Sequence, residues 1–250
     1  MLENDRDREK DWQRDPKAPL RLTVVMPVYN EKKFAEVSIR RVRGIPLDSV
    51  EIICVDDGSN DGTREILTRL KEEGVIDHLI FQPQNRGKGA AMRTGIAAAT
   101  GDVIVCQDAD LEYDAAELPY LMEPIIQGKA DAVFGSRFLG GPHRVLLFWH
   151  SIGNRVLTTF SNMLTNLNLT DMETCYKAMR GELARTIQPS LRSDRFGFEP
   201  EITARLAKAH ARIFEVPISY SGRTYAEGKK INWRDGVAAF WHILKYNLLT

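Results

Sequence analysis

Asp108-Ala109-Asp110 sets two carboxylates one residue apart just after the apolar run Val103-Ile104-Val105-Cys106. A run apolar at every position predicts a strand buried on both faces, as in a parallel sheet. Side chains alternate along a strand, so the two aspartates are expected to point the same way at its carboxyl end. Carboxylates held together repel unless a cation lies between them. A hard divalent ion bound by carboxylate oxygens, with coordination left over for a diphosphate, meets that need. The pair points to chemistry on a nucleotide diphosphate. Asp at this place also suits a helix cap, so the weight of the motif comes from its neighbours.

Three further polar segments follow apolar runs. In Pro27-Val28-Tyr29-Asn30-Glu31, Pro27 ends a ladder, Tyr29 offers a ring for a base, and Glu31 can accept from a ribose hydroxyl or the base. In Asp56-Asp57-Gly58-Ser59, an aspartate can accept from a uracil- or guanine-type N–H while Gly58 permits a tight turn. In Asn85-Arg86-Gly87-Lys88-Gly89, glycines at a helix start let backbone N–H groups approach a phosphate, and Arg86 and Lys88 add charge. A turn, a helix cap and a solvated loop would each explain one such segment. Four in register along one sheet edge are not explained by structure alone.

The elements that must position them alternate. Strands are expected at Leu22–Met26, Val50–Val55, Leu79–Gln82, Val103–Cys106, Ala130–Phe134 and Val216–Tyr220. Helices are expected at Glu31–Arg43, Thr63–Glu73, Gly87–Ala99 and Glu117–Gln127, with an amphipathic one within Val145–Leu169. This order predicts an α/β fold with a mostly parallel central sheet and helices on both faces. Ligands in such sheets gather at the carboxyl ends of the strands, where the polar motifs fall.

Length suits one such domain. Lys+Arg and Asp+Glu are equal at 34 each, so no global field selects nucleic acid, which is not an expected partner. Cys54 and Cys106 lie inside apolar runs and read as core residues of a reduced cytosolic protein. Residues 1–19 read as a charged, disordered tail with no signal peptide, and no run is apolar enough for a membrane span.

Pro27–Glu31, Asp56–Ser59, Asn85–Gly89, Asp108–Glu112 and Gly135-Ser136-Arg137-Phe138 together resemble the successive motifs of family 2 glycosyltransferases with the GT-A fold. Within them the chain is most similar to the dolichol-phosphate mannose synthase-like, polyprenyl-phosphate glycosyltransferase branch, over roughly Leu22 to Gly236. The resemblance implies a nucleotide-diphospho-sugar transferase fold. It also implies inverting transfer of one hexose from a GDP-mannose- or UDP-glucose-type donor, with Mg²⁺ or Mn²⁺ on the diphosphate. Pro27, Tyr29, Glu31, Asp56, Asp57, Arg86, Lys88 and Asp108 would serve the donor. Asp108, Asp110 and Glu112 would serve the metal, Glu112 standing where the branch often has Gln. Asp110 and Arg137 would be catalytic, and Arg137, Asp171, Arg223, Lys229 and Lys230 would hold the acceptor phosphate.

A phosphate monoester is already anionic near neutral pH, so it needs no strong base, whereas a hydroxyl acceptor needs a carboxylate such as Glu199, Glu201 or Asp171. Cations on the acceptor half and the lack of a Q-x-x-R-W signature favour one transfer to polyprenyl or dolichyl phosphate. A hydroxyl acceptor and a non-catalytic nucleotide-sugar-binding subunit of a membrane complex remain the alternatives. Gly140 to His143 reads as a mobile loop able to close over the donor. The expected organisation is a tail at 1–19, a GT-A catalytic domain at 20–222, and a basic phosphate-binding loop with a C-terminal amphipathic helix at 223–250. Trp233 and Trp241 on that helix suit a bilayer interface, while its apolar stripe equally suits the protein's own core or a membrane-anchoring partner. The expected location is cytoplasmic, peripheral at a membrane face.

Overall fold

The computed structural model describes residues 20–145, 147–224 and 233–250, the side chains of Trp233 and Arg234 excepted. Strands β1 (Arg21–Val28), β2 (Ser49–Asp56), β3 (His78–Phe81), β4 (Val103–Cys106), β5 (Ala132–Ser136), β6 (Lys177–Arg180) and β7 (Ile213–Pro217) form one sheet in the order β3-β2-β1-β4-β6-β5-β7. Around it pack α1 (Ala35–Arg43), α2 (Thr63–Glu72), α3 (Lys88–Ala98), α4 (Leu118–Ile126), α5 (Phe148–Thr165), α6 (Gly181–Ile187), α7 (Phe198–Lys208) and α8 (Trp233–Leu244). The α/β architecture with a mostly parallel sheet is the one the alternating sequence pattern predicts.

Central strands are apolar because both faces are covered. Val24, Val25, Ile52, Ile53, Ile104 and Val105 are all sealed from solvent. The small residues of α3 have a packing reason: a Cβ on Gly95 would come within 2.3 Å of Val25 Cγ1 on β1. Only glycine lets this helix lie so close to the sheet.

Two topological facts create the site. The chain winds outward from β1 through β2 to β3, then restarts at β4 on the other flank of β1. That reversal opens a crevice at the carboxyl ends of β1 and β4. Then β6 inserts antiparallel to both β4 and β5. Its reversal brings the segment that precedes it, 171–176, to the same edge as the segments that follow β1, β2, β3, β4, β5 and β7. Neither β6 nor α6 was foreseen, because Lys177-Ala178-Met179-Arg180 is short and carries polar ends on a buried strand.

Other boundaries shift by a few residues. The first helix begins at Ala35, since the N–H groups of Phe34 and Ala35 both bond the Glu31 carbonyl in a preceding turn. The last strand ends at Pro217, beyond which Tyr220 pairs singly with His143.

Candidate active site

On the donor flank, carboxamide and carboxylate groups tie the strand-end loops to one another. Asn30 adopts a left-handed φ of 49°. Its N–H donates to Ser59 Oγ at 2.9 Å, and its Oδ1 accepts from Asn60 N at 2.9 Å. Asp57 accepts from Arg86 N at 2.9 Å and Gly87 N at 2.7 Å, so it links the β2 and β3 ends. Asp56, expected from sequence to serve the donor, is fully buried. Its oxygens accept from Gly58 N, Ser59 N and, at 2.8 Å, Arg64 Nε, which shapes the turn rather than facing a ligand. Pro27 and Tyr29 sit half-buried beside this turn.

A Cβ on Gly87 would meet Asp194 O at 2.5 Å, and one on Gly89 would meet Ser193 O at 2.3 Å. Ala90 N already donates to Asp194 O at 3.0 Å. These glycines admit the 193–195 backbone against the start of α3. Arg86 is half exposed and turns toward Asp194 at 3.5 Å. Lys88 instead turns inward, bridging Asp108 at 2.9 Å and Glu199 at 2.8 Å, and those two carboxylates hold it charged.

β4 ends at Cys106, two residues short of the D-x-D, and Leu111 takes a left-handed φ of 63°. A bend, not strand alternation, therefore sets the two aspartates. Asp108 faces Lys88, whereas Asp110 faces Arg223 Nη2 at 2.9 Å. The Arg223 guanidinium also meets Glu31 at 3.2 Å and Glu112 at 3.3 Å, and its edge lies over the Phe34 ring. Glu112 accepts further from Arg223 N at 2.8 Å and from Tyr220 Oη at 2.7 Å. Burial, together with the charges of Asp108 and Glu112, pushes the Asp110 carboxyl up to about 7, against the pull of Arg223.

Among the described residues no three His, Cys, Asp or Glu side chains are grouped so as to hold a metal ion. Of the three carboxylates expected at the metal, Glu112 gives its oxygens to Tyr220 and Arg223. Asp108 and Asp110 still fit a hard cation that completes its shell with diphosphate oxygens. A guanidinium seated on Asp110, Glu31 and Glu112 marks where positive charge is wanted.

On the acceptor flank, Arg137 follows β5 and grips Asp171 at both ends, Nε to Oδ2 at 2.6 Å and Nη2 to Oδ1 at 2.7 Å. Asn154 of α5 completes the cluster, donating to Asp171 Oδ1 at 3.2 Å and accepting from Arg137 Nη2 at 3.3 Å. Asp171, expected at the acceptor phosphate, is fully buried with both oxygens engaged, and it positions Arg137. The Arg137 guanidinium lies 5.1 Å over the Tyr220 ring.

The segment 140–143 is no free lid. Tyr220 N bonds Pro142 O at 3.0 Å and Arg144 N bonds Tyr220 O at 2.8 Å, tying it to the chain after β7. Glu201 accepts from Arg192 N and Ser193 N and so supports the loop before α7, while Glu199 reaches the site through Lys88. Lys229 and Lys230 lie outside the described residues. Sequence reasoning chose Asp171 and passed over Glu173 two residues on, and it gave Tyr220 only a place in a strand.

Glycosyl transferase family 2 matches residues 23–187. Undecaprenyl-phosphate mannosyltransferase of Micrococcus luteus is 29% identical over 92% of this chain and 99% of its own length. A dolichyl-phosphate beta-glucosyltransferase of Trichomonas vaginalis is 30% identical over 80% of this chain, which spans 63% of that relative. The crystal structure of glucosyl-3-phosphoglycerate synthase from Mycobacterium tuberculosis with Mn²⁺, uridine diphosphate and glucosyl-3-phosphoglycerate superposes with a TM-score of 0.70. It is 19% identical and covers 94% of this chain and 86% of its own, a likeness of fold.

Proposed function

The chain belongs to glycosyl transferase family 2, and we propose that it moves one hexose from a nucleotide sugar to a polyprenyl or dolichyl phosphate, inverting the anomeric carbon. The relatives named for undecaprenyl and dolichyl phosphate support the acceptor class. The observation that carries it is the placing of Arg137. A guanidinium locked by Asp171 and Asn154 lies over the exposed Phe138 ring, with exposed Leu139 following it. Phe148 and Trp149 are exposed at the start of α5, the helix that carries Asn154. A fixed cation at the foot of an apolar surface suits a phosphate on a hydrocarbon tail.

In the reaction an acceptor phosphate oxygen forms a bond to the anomeric carbon while the bond from that carbon to the donor diphosphate breaks. The nucleoside diphosphate leaves from the opposite face. No proton has to be removed from the nucleophile, since its second pKa is about 6. Arg137 orients that phosphate. Lys88 holds Asp108, and Arg223 adds charge beside Asp110. A divalent ion bound by Asp108 and Asp110 would supply Lewis-acid stabilisation of the departing diphosphate.

No described helix is long and apolar enough to cross a membrane. We place the protein peripherally on one. Ala239, Ile243 and Tyr246 of the C-terminal segment pack inward, while Val237, Trp241, Leu248 and Leu249 face out, beside exposed Trp149, Val156 and Met163 of α5. Residues 20–222 form the catalytic domain and 223–250 the flanking segment in this reading. The test is release of GDP or UDP from a panel of nucleotide sugars, with and without a short polyprenyl phosphate. Release that depends on the lipid phosphate supports the reading, and release only with hydroxyl acceptors overturns it.

A further inference from the structure

The segment 171–175 ahead of β6 is held at nearly every residue. Asp171 N donates to Glu215 Oε1 at 3.1 Å, Met172 N to Thr158 Oγ1 at 3.1 Å, and Cys175 N to Tyr113 Oη at 3.1 Å. The buried Lys177 ammonium donates to the carbonyls on both sides of Glu173, those of Met172 at 2.9 Å and of Thr174. Two side-chain oxygens in this clamp are left over, the Thr174 hydroxyl and one carboxyl oxygen of Glu173, and only the second can carry charge. Glu173 is half-buried, and its Oε1 is sealed from solvent with no hydrogen-bond partner.

Leaving a carboxylate oxygen buried and unmet is costly, and folded proteins rarely keep such groups without a use. Burial, with Glu199 and Asp171 nearby, pushes the Glu173 carboxyl up to about 8, while Lys177 and Arg137 pull it down. The chain itself locates it: Asp171, two residues earlier, grips Arg137, and the carbonyls on either side of Glu173 rest on Lys177. Glu199 is joined through Lys88 to Asp108 on the diphosphate flank. Arg137 and Asp171 make up the acceptor flank. The transferred hexose must lie between them, because its anomeric carbon is bonded to the leaving diphosphate on one side and attacked by the acceptor on the other.

We propose that Glu173 reads the hexose of the donor: the rigid 171–175 segment presents its carboxyl group to a sugar hydroxyl, which sets which hexose is transferred. This rests on the nucleotide-sugar reading above. A preorganised partner on a clamped backbone discriminates hydroxyl patterns better than a mobile one, because it does not re-form around the wrong sugar.

The test uses the full chain, its preferred nucleotide sugar and that donor's monodeoxy analogues, with Glu173→Gln and Glu173→Ala. For the unaltered protein, removing the hydroxyl that meets Glu173 should lower kcat/KM roughly tenfold to a hundredfold. In both variants the parent donor should lose about as much, and the gap between parent and that analogue should close to about threefold or less. Affinity for the free nucleoside diphosphate, titrated calorimetrically, should stay within about twofold, because nothing of the nucleotide reaches this side chain. The proposal is overturned if every analogue keeps its wild-type ratio in the variants. It is equally overturned if nucleoside diphosphate affinity falls in step with turnover, the mark of a merely structural role. Should the alanine variant fail to fold, the isosteric glutamine variant carries the measurement. Donor binding and slow donor hydrolysis can be followed without any acceptor, so failure of the lipid-phosphate reading would show separately, as a missing response to polyprenyl phosphate.

Discussion

Replacing Asp171 by Asn tests whether the acceptor cation is built or incidental. Asp171 is fully buried and gives both oxygens to Arg137, at 2.6 and 2.7 Å. The amide of Asn keeps the shape but removes the charge, leaving the Arg137 guanidinium, 16% exposed, without its counter-ion. Breaking one partner of a buried pair costs about 3–5 kcal/mol. For a chain of this size that corresponds to a fall in Tm of about 6–20 °C. The double variant Arg137→Met with Asp171→Leu removes both charges, and by the same logic regains much of that loss. It should stay inactive, since nothing is left to hold the acceptor phosphate. Thermal unfolding and initial-rate kinetics against acceptor and donor are the assays. The single variant should raise acceptor KM and leave donor KM nearly unchanged. A loss below about 1 kcal/mol, the range of exposed pairs, would refute the reasoning, as would a double variant no more stable than the single one.

Gly89→Ala drives a Cβ to within 2.3 Å of the Ser193 carbonyl and should cost about 1–3 kcal/mol; a urea midpoint checks this, and no change would mean the 193–195 loop yields freely. The Asp110 carboxyl, pushed up to about 7 by burial, is protonated below that pH and cannot ligate an ion. Mn²⁺ affinity of the nucleotide-free protein should therefore rise about tenfold per pH unit below 7 and level off above it. For folding the sign is opposite: a raised acid favours the native state at low pH, and that contribution is lost as pH climbs toward about 7. A flat Mn²⁺ titration between acid and neutral pH would contradict the assignment. Trp149→Glu with Trp241→Glu should abolish co-sedimentation with anionic lipid vesicles while leaving transfer to a short-chain acceptor within about twofold; unchanged sedimentation would move the membrane contact elsewhere.

Much of the architecture was legible because it follows from periodicity. Val24, Ile53 and Val105 sit in strands apolar on both faces, and only a covered parallel sheet explains that pattern. The crevice at the ends of β1 and β4 follows from element order alone. What sequence could not show was where each carboxylate spends its oxygens. Asp56 and Asp57 are neighbours of one type, yet one closes its own turn and the other reaches across to Arg86 and Gly87. The 193–195 backbone that packs against the glycines at 87 and 89 is about a hundred residues away in the chain, a contact no local pattern encodes. β6 hid for a similar reason: its direction depends on the neighbours it slots between. Glu173 was passed over in favour of Asp171, and its importance appears only once its carboxyl oxygen is seen to be buried without a partner.

In the proposed reaction one hexose passes to a phosphate oxygen with inversion. The direct measurement is to isolate the lipid product from an α-linked nucleotide sugar and read its linkage by carbon and phosphorus NMR. The expected product is a single hexose joined through a phosphodiester at its anomeric carbon in the β configuration. A product with the sugar on a hydroxyl, or with the α configuration retained, would contradict it.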